Sequence, residues 1–180
     1  FEIVGAVSRG KHSRQRVSEA VGGVPEYGDF YEALKASEPD VVSINTYPDT
    51  HAEFALAALD AGCHIFIEKP LAPSVGEAKR IVEKAKEVGK KMVVGYILRH
   101  HPSWTKFVEI AQTLGKPLVM RMNLNQQSSG EQWRTHKNLM SSMSPIVDCG
   151  VHYVDMMCLM TRSKPVRVHA IGARLNEQLD

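Results

Sequence analysis

The sequence predicts an α/β protein in which a parallel sheet with helices on both faces is followed by the start of an α+β domain. Short apolar runs alternate with helical patterns over residues 1–98, and crossovers of that kind join parallel strands. The runs are apolar throughout, which is typical of strands buried on both faces. The pattern changes near residue 99, so we predict domains at 1–98 and 99–180.

The first region is built from short apolar runs, which predict strands, and from helical segments with recognisable ends. Asp29 and Ser74 are good N-caps, and Gly22, Gly62 and Gly89 are good helix stops. The strands are predicted at residues 3–7, 41–44, 64–67 and 92–96, and the helices at 12–21, 30–36, 51–61 and 75–88.

The second region mixes helical and alternating patterns. Residues 118–124 alternate apolar and polar side chains, which predicts a half-exposed strand. Residues 125–145 are polar and are predicted to be irregular. Helices are predicted at residues 103–114 and 148–160, and a further strand at 166–173.

The composition excludes several classes of protein. The 180 residues carry 22 Lys and Arg against 20 Asp and Glu, a net charge of +2, and 43% are hydrophobic. This balance argues against a disordered chain and against nucleic-acid binding through bulk positive charge. No apolar run approaches the roughly 20 residues that cross a bilayer, so we expect no membrane partner. Three cysteines without a Cys-x-x-Cys pair favour a reducing compartment, and we expect a cytoplasmic protein.

The residues that follow the first strand predict an anion site. Residues 5–12 read GAVSRGKH, but a phosphate-binding P-loop needs Ser or Thr where His12 stands. Ser8 and Arg9 end the strand, and no acid follows until Glu19. An acid at the corresponding strand end of a dinucleotide fold binds a ribose 2′-hydroxyl, whereas a Ser/Arg pair accommodates a 2′-phosphate. The pair therefore favours NADP over NAD.

Two motifs suggest proton transfer. Glu68-Lys69-Pro70 follows a buried strand, at the sheet edge where open α/β proteins bind ligands. A lysine there can lose hydration and exchange a proton near neutral pH. Asp148 and His152 are four apart on a predicted helix, so they share a face and the carboxylate can fix the imidazole tautomer. Asp155 follows one turn later and could serve the same role.

The remaining candidates are weaker. Trp133 and Arg134 lie in the stretch predicted to be irregular, where an aromatic ring beside an arginine can contact a ligand in a cleft. His64 precedes or begins a strand and is predicted to be structural. The cysteines and histidines form no tetrahedral set of known spacing, so we predict no metal.

Taken in order, these features resemble the Gfo/Idh/MocA family of oxidoreductases. The likeness covers nearly the whole chain, and the ordered set is specific although no single motif is decisive. It is carried by residues 45–51 (NTYPDTH), the Ala-rich helix, residues 61–64 (AGCH), Glu68-Lys69-Pro70, Gly95-Tyr96, Arg99 with Pro102, Trp133-Arg134, and Asp148-x-Gly150-x-His152-x-x-Asp155.

The resemblance implies a Rossmann-like domain followed by part of a substrate and oligomerisation domain, an α+β domain with a mostly antiparallel open sheet. It implies NAD(P)-linked oxidation or reduction of a sugar, inositol or related polyol, in a dimer or tetramer. The implied catalytic residues are Lys69, Asp148 and His152. The cofactor-binding residues are predicted to be Ser8, Arg9, Thr46, Pro48, His51, Glu68, Lys69, Trp133 and Arg134. The substrate-binding residues are predicted to be Lys69, Tyr96, Arg99, Asp148 and His152.

The chemistry leaves alternatives open. An alcohol that loses hydride also loses its hydroxyl proton to a base, which is either His152 oriented by Asp148 or Lys69. A non-catalytic member that senses a dinucleotide or a sugar is a second hypothesis, because fold does not fix function. A reductase of a non-sugar ligand, such as a dihydrodiol or a tetrapyrrole, is a third.

Three features depart from the family pattern. The loop G-x-G-x-x-G is absent, because the chain opens within an apolar run at Phe1 that resembles the family's second strand. The Gly-rich stretch that often precedes the catalytic Asp reads SSMSP here, at residues 141–145. The second sheet is cut after about Leu175. We therefore expect this chain to be roughly the middle half of a typical member.

Overall fold

A computed structural model describes residues 1–116, 118–124, 128–140 and 143–173 of the chain. The chain divides into two compact units, Phe1–Val94 and Gly95–Asp180. We call the first the sheet unit and the second the helical unit. The division falls close to residue 98, where the sequence pattern changes.

The sheet unit contains parallel strands joined by helices, which confirms the predicted α/β class. Strand β1 pairs with β2, and a second sheet has the order β3-β4-β5, with every pair parallel. The predicted strand at residues 3–7 is paired only over its last two residues. The elements are β1 (Ala6–Val7), α1 (Lys11–Ala20), β2 (Glu26–Tyr27), α2 (Phe30–Ser37), β3 (Val41–Ile44), a 3-10 turn (Pro48–Thr50), α3 (His51–Asp60), β4 (His64–Ile67), α4 (Val75–Glu87) and β5 (Met92–Val94).

The predicted helix caps of the sheet unit are confirmed. The Asp29 carboxylate accepts a hydrogen bond from Glu32 N at 2.8 Å, and Ser74 Oγ accepts one from Glu77 N at 3.2 Å. Each cap satisfies one of the backbone N–H groups that a helix start leaves without an intrahelical partner. Gly62 follows α3 with a φ of 79°, a left-handed conformation that glycine adopts without strain.

The core of the sheet unit lies between the three-stranded sheet and α3 and α4. Strand β4 is central and is buried or half-buried at every position. The outer strands are more open, since Val41 is 42% exposed and Val93 is 54% exposed. The expectation that every strand is buried on both faces is therefore wrong for β3 and β5, the two outer strands of this sheet in the part of the chain that the structure describes. The fully buried core side chains include Ala55, Ala58, Leu59, Ile67 and Ile81.

The helical unit has a smaller core, formed where α5 packs against α7. Ala111, Met156 and Met160 are buried there, with Trp104 and Val108 packed against them. Within the described residues, no helix is both long enough and apolar enough to cross a membrane. The elements are a 3-10 turn (Ile97–Arg99), α5 (Pro102–Thr113), α6 (Gly130–Met140), a π-helical turn (Ile146–Gly150) and α7 (Val151–Thr161).

The two strands predicted for the second region are not formed, since the described part of the helical unit contains no strand. Residues 118–124 keep part of the predicted alternation: Met120 and Met122 pack against the core, whereas Val119 is 96% exposed. Residues 166–173 are exposed along their length. A strand is stabilised by ladder bonds to a neighbour, and these segments have no neighbouring strand in the described part of the unit.

Helix α6 lies in the stretch that was predicted to be irregular, so that prediction is wrong for residues 130–140. Half-buried side chains recur at Trp133, His136, Leu139 and Met140, which is the spacing of one helix face. The other positions of this helix are polar, so the helical spacing of the half-buried residues was not recognised in the sequence. Of the SSMSP stretch that departs from the family, residues 141 and 142 lie outside the described residues, as do residues 174–180 at the predicted end of the second sheet.

Candidate active site

The loops that follow β3 and β4 are joined by the side chain of His51. Its Nδ1 lies 2.8 Å from Pro70 O, and its Nε2 lies 3.1 Å from Thr46 O. The ring is completely buried. His51 was predicted to line a cofactor cleft, and with both nitrogens on backbone carbonyls it can influence a ligand only through the two loops that it joins.

The first of these loops is also held from within. Thr50 Oγ1 lies 2.8 Å from Thr46 Oγ1 and donates toward Tyr47 O at 2.9 Å. Pro48 is buried beneath the loop, whereas Thr46 is exposed. The Thr46 hydroxyl is therefore accessible at the carboxyl end of β3, the position where open α/β sheets bind ligands. Thr50 was not predicted, although its spacing of four residues from Thr46 was visible in the sequence.

The second loop begins with the Glu68-Lys69-Pro70 motif. Glu68 N donates to Ile44 O at 3.0 Å, which extends the ladder between β3 and β4 by one residue. Lys69 N donates to the Glu68 carboxylate at 3.2 Å, so the acid turns back over the loop. Lys69 is half-buried. The motif thus places Lys69 in the loop after the carboxyl end of β4, as the sequence predicted.

Ser8 and Arg9, which are predicted to bind an anion, follow the end of β1. The Arg14 guanidinium donates to Ser8 O at 3.2 Å and to Arg9 O at 3.3 Å, and its Nε lies 3.8 Å from the Glu26 carboxylate. Arg14 therefore fixes the turn, while Arg9 itself is exposed. Helix α1 has no acid in its first turn. An exposed cation beside a helix N-terminus that lacks acids suits an anionic group.

Tight packing around Gly5 explains the glycine that gave the resemblance to a P-loop. A Cβ added at Gly5 would lie 3.1 Å from both Ser37 Oγ and Tyr27 Cε2. Glycine is needed here because neighbouring side chains approach the backbone closely, and no phosphate is required to explain it.

In the helical unit, Arg99 forms a bidentate ion pair with Asp155. Its Nε donates to Asp155 Oδ2 at 2.8 Å and its Nη2 to Oδ1 at 2.6 Å. Both oxygens of Asp155 accept hydrogen bonds from Arg99, and the suggestion that Asp155 also orients His152 stays a prediction. Asp155 is 56 residues from Arg99 in the sequence, so no local signal predicts the pair.

Tyr96 lies between Arg99 and His152. The guanidinium carbon of Arg99 is 5.7 Å from the centre of the Tyr96 ring, and that ring meets the His152 imidazole edge to face at a centroid separation of 6.2 Å. Burial raises the pKa of Tyr96 above its ordinary value of 10.0, the charge of Asp155 raises it further, and Arg99 partly opposes the change. The helical unit thus brings together the predicted substrate-binding residues Tyr96, Arg99 and His152.

Asp148 lies in the π-helical turn that precedes α7, rather than in the α-helix that was predicted. A π-turn is wider than an α-turn, and such turns often occur at functional sites. Asp148 is only 6% exposed, and Cys149 Sγ donates toward its Oδ2 at 3.3 Å. The carboxylate lies at the start of a helix, where the helix dipole favours a negative charge.

Trp133 and Arg134 lie on α6 and not in an irregular loop, which corrects the setting predicted for them. Trp133 is half-buried and Arg134 is exposed. In the part of the chain that the structure describes, no three side chains of His, Cys, Asp or Glu are grouped as metal ligands.

Parallel strands joined by helices, with polar and cationic side chains in the loops at their carboxyl ends, define an open α/β protein of the dinucleotide-binding type. Residues 1–96 match the family model of the oxidoreductase family with an NAD-binding Rossmann fold. Residues 110–180 match the GFO/IDH/MocA C-terminal domain. The chain therefore belongs to the Gfo/Idh/MocA oxidoreductase family, as its motifs suggested.

Similar proteins include dehydrogenases and a reductase. An inositol 2-dehydrogenase of Klebsiella pneumoniae is 29% identical over 84% of this chain and 44% of the relative. The crystal structure of a myo-inositol 2-dehydrogenase from Lactobacillus plantarum superposes with a TM-score of 0.77 at 18% identity, over 92% of this chain and 50% of that one, which shows a shared fold.

Another similar structure is that of KijD10, a 3-ketoreductase from Actinomadura kijaniata, in complex with NADP and TDP-benzene. It superposes with a TM-score of 0.57 at 26% sequence identity, over 62% of this chain and 34% of that one. The chain spans about half the length of the relatives that it matches.

Proposed function

We propose that the protein to which this chain belongs is an NAD(P)-dependent oxidoreductase that moves a hydride between nicotinamide and a hydroxyl or carbonyl carbon of a sugar, inositol or related polyol. One observation carries the proposal. This member of an oxidoreductase family has Lys69 after the carboxyl end of β4, Asp148 in the π-helical turn before α7, and His152 on α7. A member that only sensed ligands would have no need to keep all three side chains.

The sheet unit suits a dinucleotide. When bound, the nicotinamide ring would accept or supply the hydride. Arg9 is exposed beside an acid-free helix start, which suits a 2′-phosphate better than a ribose hydroxyl. We therefore propose NADP as the preferred cofactor. Ser8, Arg9 and Thr46 are the side chains that we assign to hold it, and Glu68 assists by shaping the Lys69 loop.

The chain's own residues would handle the proton. We assign the hydroxyl proton to Lys69 and His152, either of which can serve as the base. Asp148 would favour one tautomer of His152 and support its charged form, since a carboxylate beside an imidazole does both. The Tyr96 ring packs against the imidazole and limits its rotation. Arg99, half-exposed in its pair with Asp155, offers donors to substrate hydroxyls at its open side.

We also propose that the full-length protein is a cytoplasmic homo-oligomer. Val166, Val168 and Ile171 are between 78% and 103% exposed in the helical unit. Apolar side chains so fully open to water favour burial against further protein.

The test is a steady-state screen of the full-length protein with NAD and NADP against sugars, inositols and other polyols. We expect turnover with at least one polyol, and higher kcat/KM with NADP than with NAD. Lys69→Ala and His152→Ala should each lower kcat by about 100- to 10,000-fold, because each removes a proton-transfer group. The double variant should be little worse than either single one, since residues that act as a unit lose activity non-additively.

The controls are Lys79→Ala and His100→Ala, which remove exposed side chains of the same types elsewhere in the two units. Both should keep wild-type kcat. Dissociation constants for NADP should be nearly unchanged in every variant, because the lost groups act on substrate. Wild-type turnover in both Lys69→Ala and His152→Ala would refute the assignment.

A further inference from the structure

We propose that His51 is a positioning residue that sets the place of Lys69 by joining the loops after β3 and β4. This inference rests on the proposed function, in which Lys69 exchanges a proton with substrate. His51 is not itself a contact for substrate or cofactor, because its ring is completely buried and its nitrogens face Pro70 O and Thr46 O.

The topology explains why one side chain can reach both loops. Strands β3 and β4 are parallel neighbours, with Ile44 opposite Ile67 in the register. Their carboxyl ends therefore lie side by side, and the backbone ladder between them runs as far as Glu68 N, which donates to Ile44 O. His51 joins the two loops beyond the end of this ladder, at Thr46 and at Pro70. Since Pro70 directly follows Lys69, the bond to its carbonyl restrains the backbone that carries the ammonium group.

The anchor of this connection is the most deeply packed helix of the sheet unit. His51 is the first residue of α3, where Ala55, Ala58 and Leu59 have no exposed surface. A side chain mounted on a rigid element holds its partners more precisely than one mounted on a loop. The buried core of the unit therefore helps to position Lys69 through His51, in addition to the short loop that carries the lysine.

The chemistry of the two partners makes histidine hard to replace. Carbonyl oxygens accept hydrogen bonds and never donate them. A neutral imidazole has a single N–H and donates to one of the two carbonyls, and only the protonated ring donates to both. In either form the rigid ring keeps one nitrogen 2.8 Å from Pro70 O and the other 3.1 Å from Thr46 O. Glutamine offers one donor group beside an acceptor oxygen and can serve one loop. Alanine serves neither.

The test uses the full-length protein and a double-mutant cycle between His51 and Lys69. His51→Ala should lower kcat by about 100-fold, because a displacement of about 1 Å at a reacting group can cost that much. His51→Gln should recover part of the loss. His51→Ala combined with Lys69→Ala should be no slower than Lys69→Ala alone, because misplacing a lysine that has been removed has no further effect.

A second readout does not depend on activity. The rate at which acetic anhydride labels Lys69, followed by mass spectrometry, should rise in His51→Ala because the loop is no longer fixed. His64→Ala is the matched control: His64 is a half-buried histidine on β4, and its Nδ1 accepts from Lys91 N at 2.9 Å. This variant removes a structural histidine from the same sheet and should leave both kcat and Lys69 labelling unchanged.

The outcomes separate this inference from the proposed function. Multiplicative losses in the double variant, or equal behaviour of His51→Ala and His64→Ala, would overturn the positioning role. Wild-type turnover in Lys69→Ala would overturn the proposed role of Lys69, and the labelling rate would still decide whether His51 holds it. If His51→Ala does not fold, His51→Gln replaces it in the cycle and in the labelling experiment.

Discussion

The sheet unit and the helical unit hold their candidate site residues by different means. In the sheet unit several contacts run from a side chain to backbone carbonyls: the His51 ring lies beside Thr46 O and Pro70 O, and Arg14 donates to Ser8 O. In the helical unit the bonds run between side chains, as in the Arg99–Asp155 pair. The first arrangement depends on the parallel ladder that places the loops together, whereas the second depends on the identities of both partners.

The two units also differ in how much apolar surface their cores bury. The sheet unit buries a continuous cluster that links β3, β4, α3 and α4. The helical unit buries Ala111, Met156 and Met160, and leaves Phe107 and Ile110 of α5 each 49% exposed. The loops of the sheet unit rest on the larger core, so substitutions in that core should mainly lower the free energy of unfolding. In the helical unit, substitutions that break a side-chain pair should have a comparatively larger part in stability.

The largest effect is expected for a cavity in the core of the sheet unit. Leu59 and Met156 are both completely buried, one in each unit, so truncating each to alanine compares the two cores directly. We expect Leu59→Ala to lower the free energy of unfolding by about 3 to 4 kcal/mol, as large-to-small changes in tight cores do. Met156→Ala should cost only about 2 kcal/mol, since methionines and half-exposed neighbours can close around the gap.

The measurement is amide hydrogen exchange in the full-length protein, which reports the opening free energy of each unit separately. Protection should fall across α3 and β4 in Leu59→Ala, and across α5 and α7 in Met156→Ala. Equal losses in the two variants would mean that the helical unit is as tightly packed as the sheet unit.

The fold of the sheet unit could be predicted because its signals are local. Strands β3 and β4 begin and end where the sequence placed them, at Val41–Ile44 and His64–Ile67. Each is a short apolar run followed by a helix, and the crossover fixes the parallel pairing. In the helical unit, residues 118–124 carry the alternation of a strand, but pairing needs a second strand that the pattern of one segment cannot supply.

The Arg99–Asp155 pair should give a smaller effect than either cavity. Asp155→Asn keeps the shape of the side chain and removes its charge, while Arg99, 48% exposed, remains hydrated. We expect a loss of about 1 kcal/mol in the opening free energy of α7, because a bidentate, partly buried pair exceeds an ordinary surface pair. The matched control is Glu109→Gln, whose partner Lys106 is 71% exposed. It should cost less than about 0.5 kcal/mol.

Hydrogen exchange of α7 and α5 distinguishes the two results, since Asp155 lies on α7 and Glu109 on α5. Similar losses for both variants would mean that the Arg99–Asp155 pair behaves as an ordinary surface ion pair. A loss as large as that of Met156→Ala would mean that the pair, and not the apolar core, is the main support of the helical unit.

The position of a site residue could be predicted when it belongs to a local motif. A contact between residues from distant segments of the chain could not. Lys69 follows a strand directly, so its position at the sheet edge follows from the topology. The partner of Arg99 could not be predicted, because Asp155 is 56 residues away and no local pattern links the two. The bracing role of His51 was missed for the same reason: its contact with Pro70 crosses from one loop to the next.

The smallest effect is expected from the ionisation of Tyr96. Because its pKa is raised in the folded protein, the folded state holds the phenolic proton more tightly than the unfolded state does. Its contribution to stability is therefore fully present below pH 10.0 and is lost only as the pH rises through the folded value. Tyr96→Phe should consequently leave the pH dependence of unfolding unchanged between about pH 6 and 9.

A difference titration of phenolate absorbance between wild type and Tyr96→Phe isolates the Tyr96 step, which should lie above pH 10.0. Asp155→Asn sharpens the test, since it removes a negative charge that raises the pKa of Tyr96 and leaves Arg99, which lowers it. The step should then move to lower pH. A titration step at or below pH 10.0 in the wild type, or no movement of the step in Asp155→Asn, would mean that the Tyr96 ring does not lie against the ion pair. The helical unit would then not hold its candidate site residues through contacts between side chains.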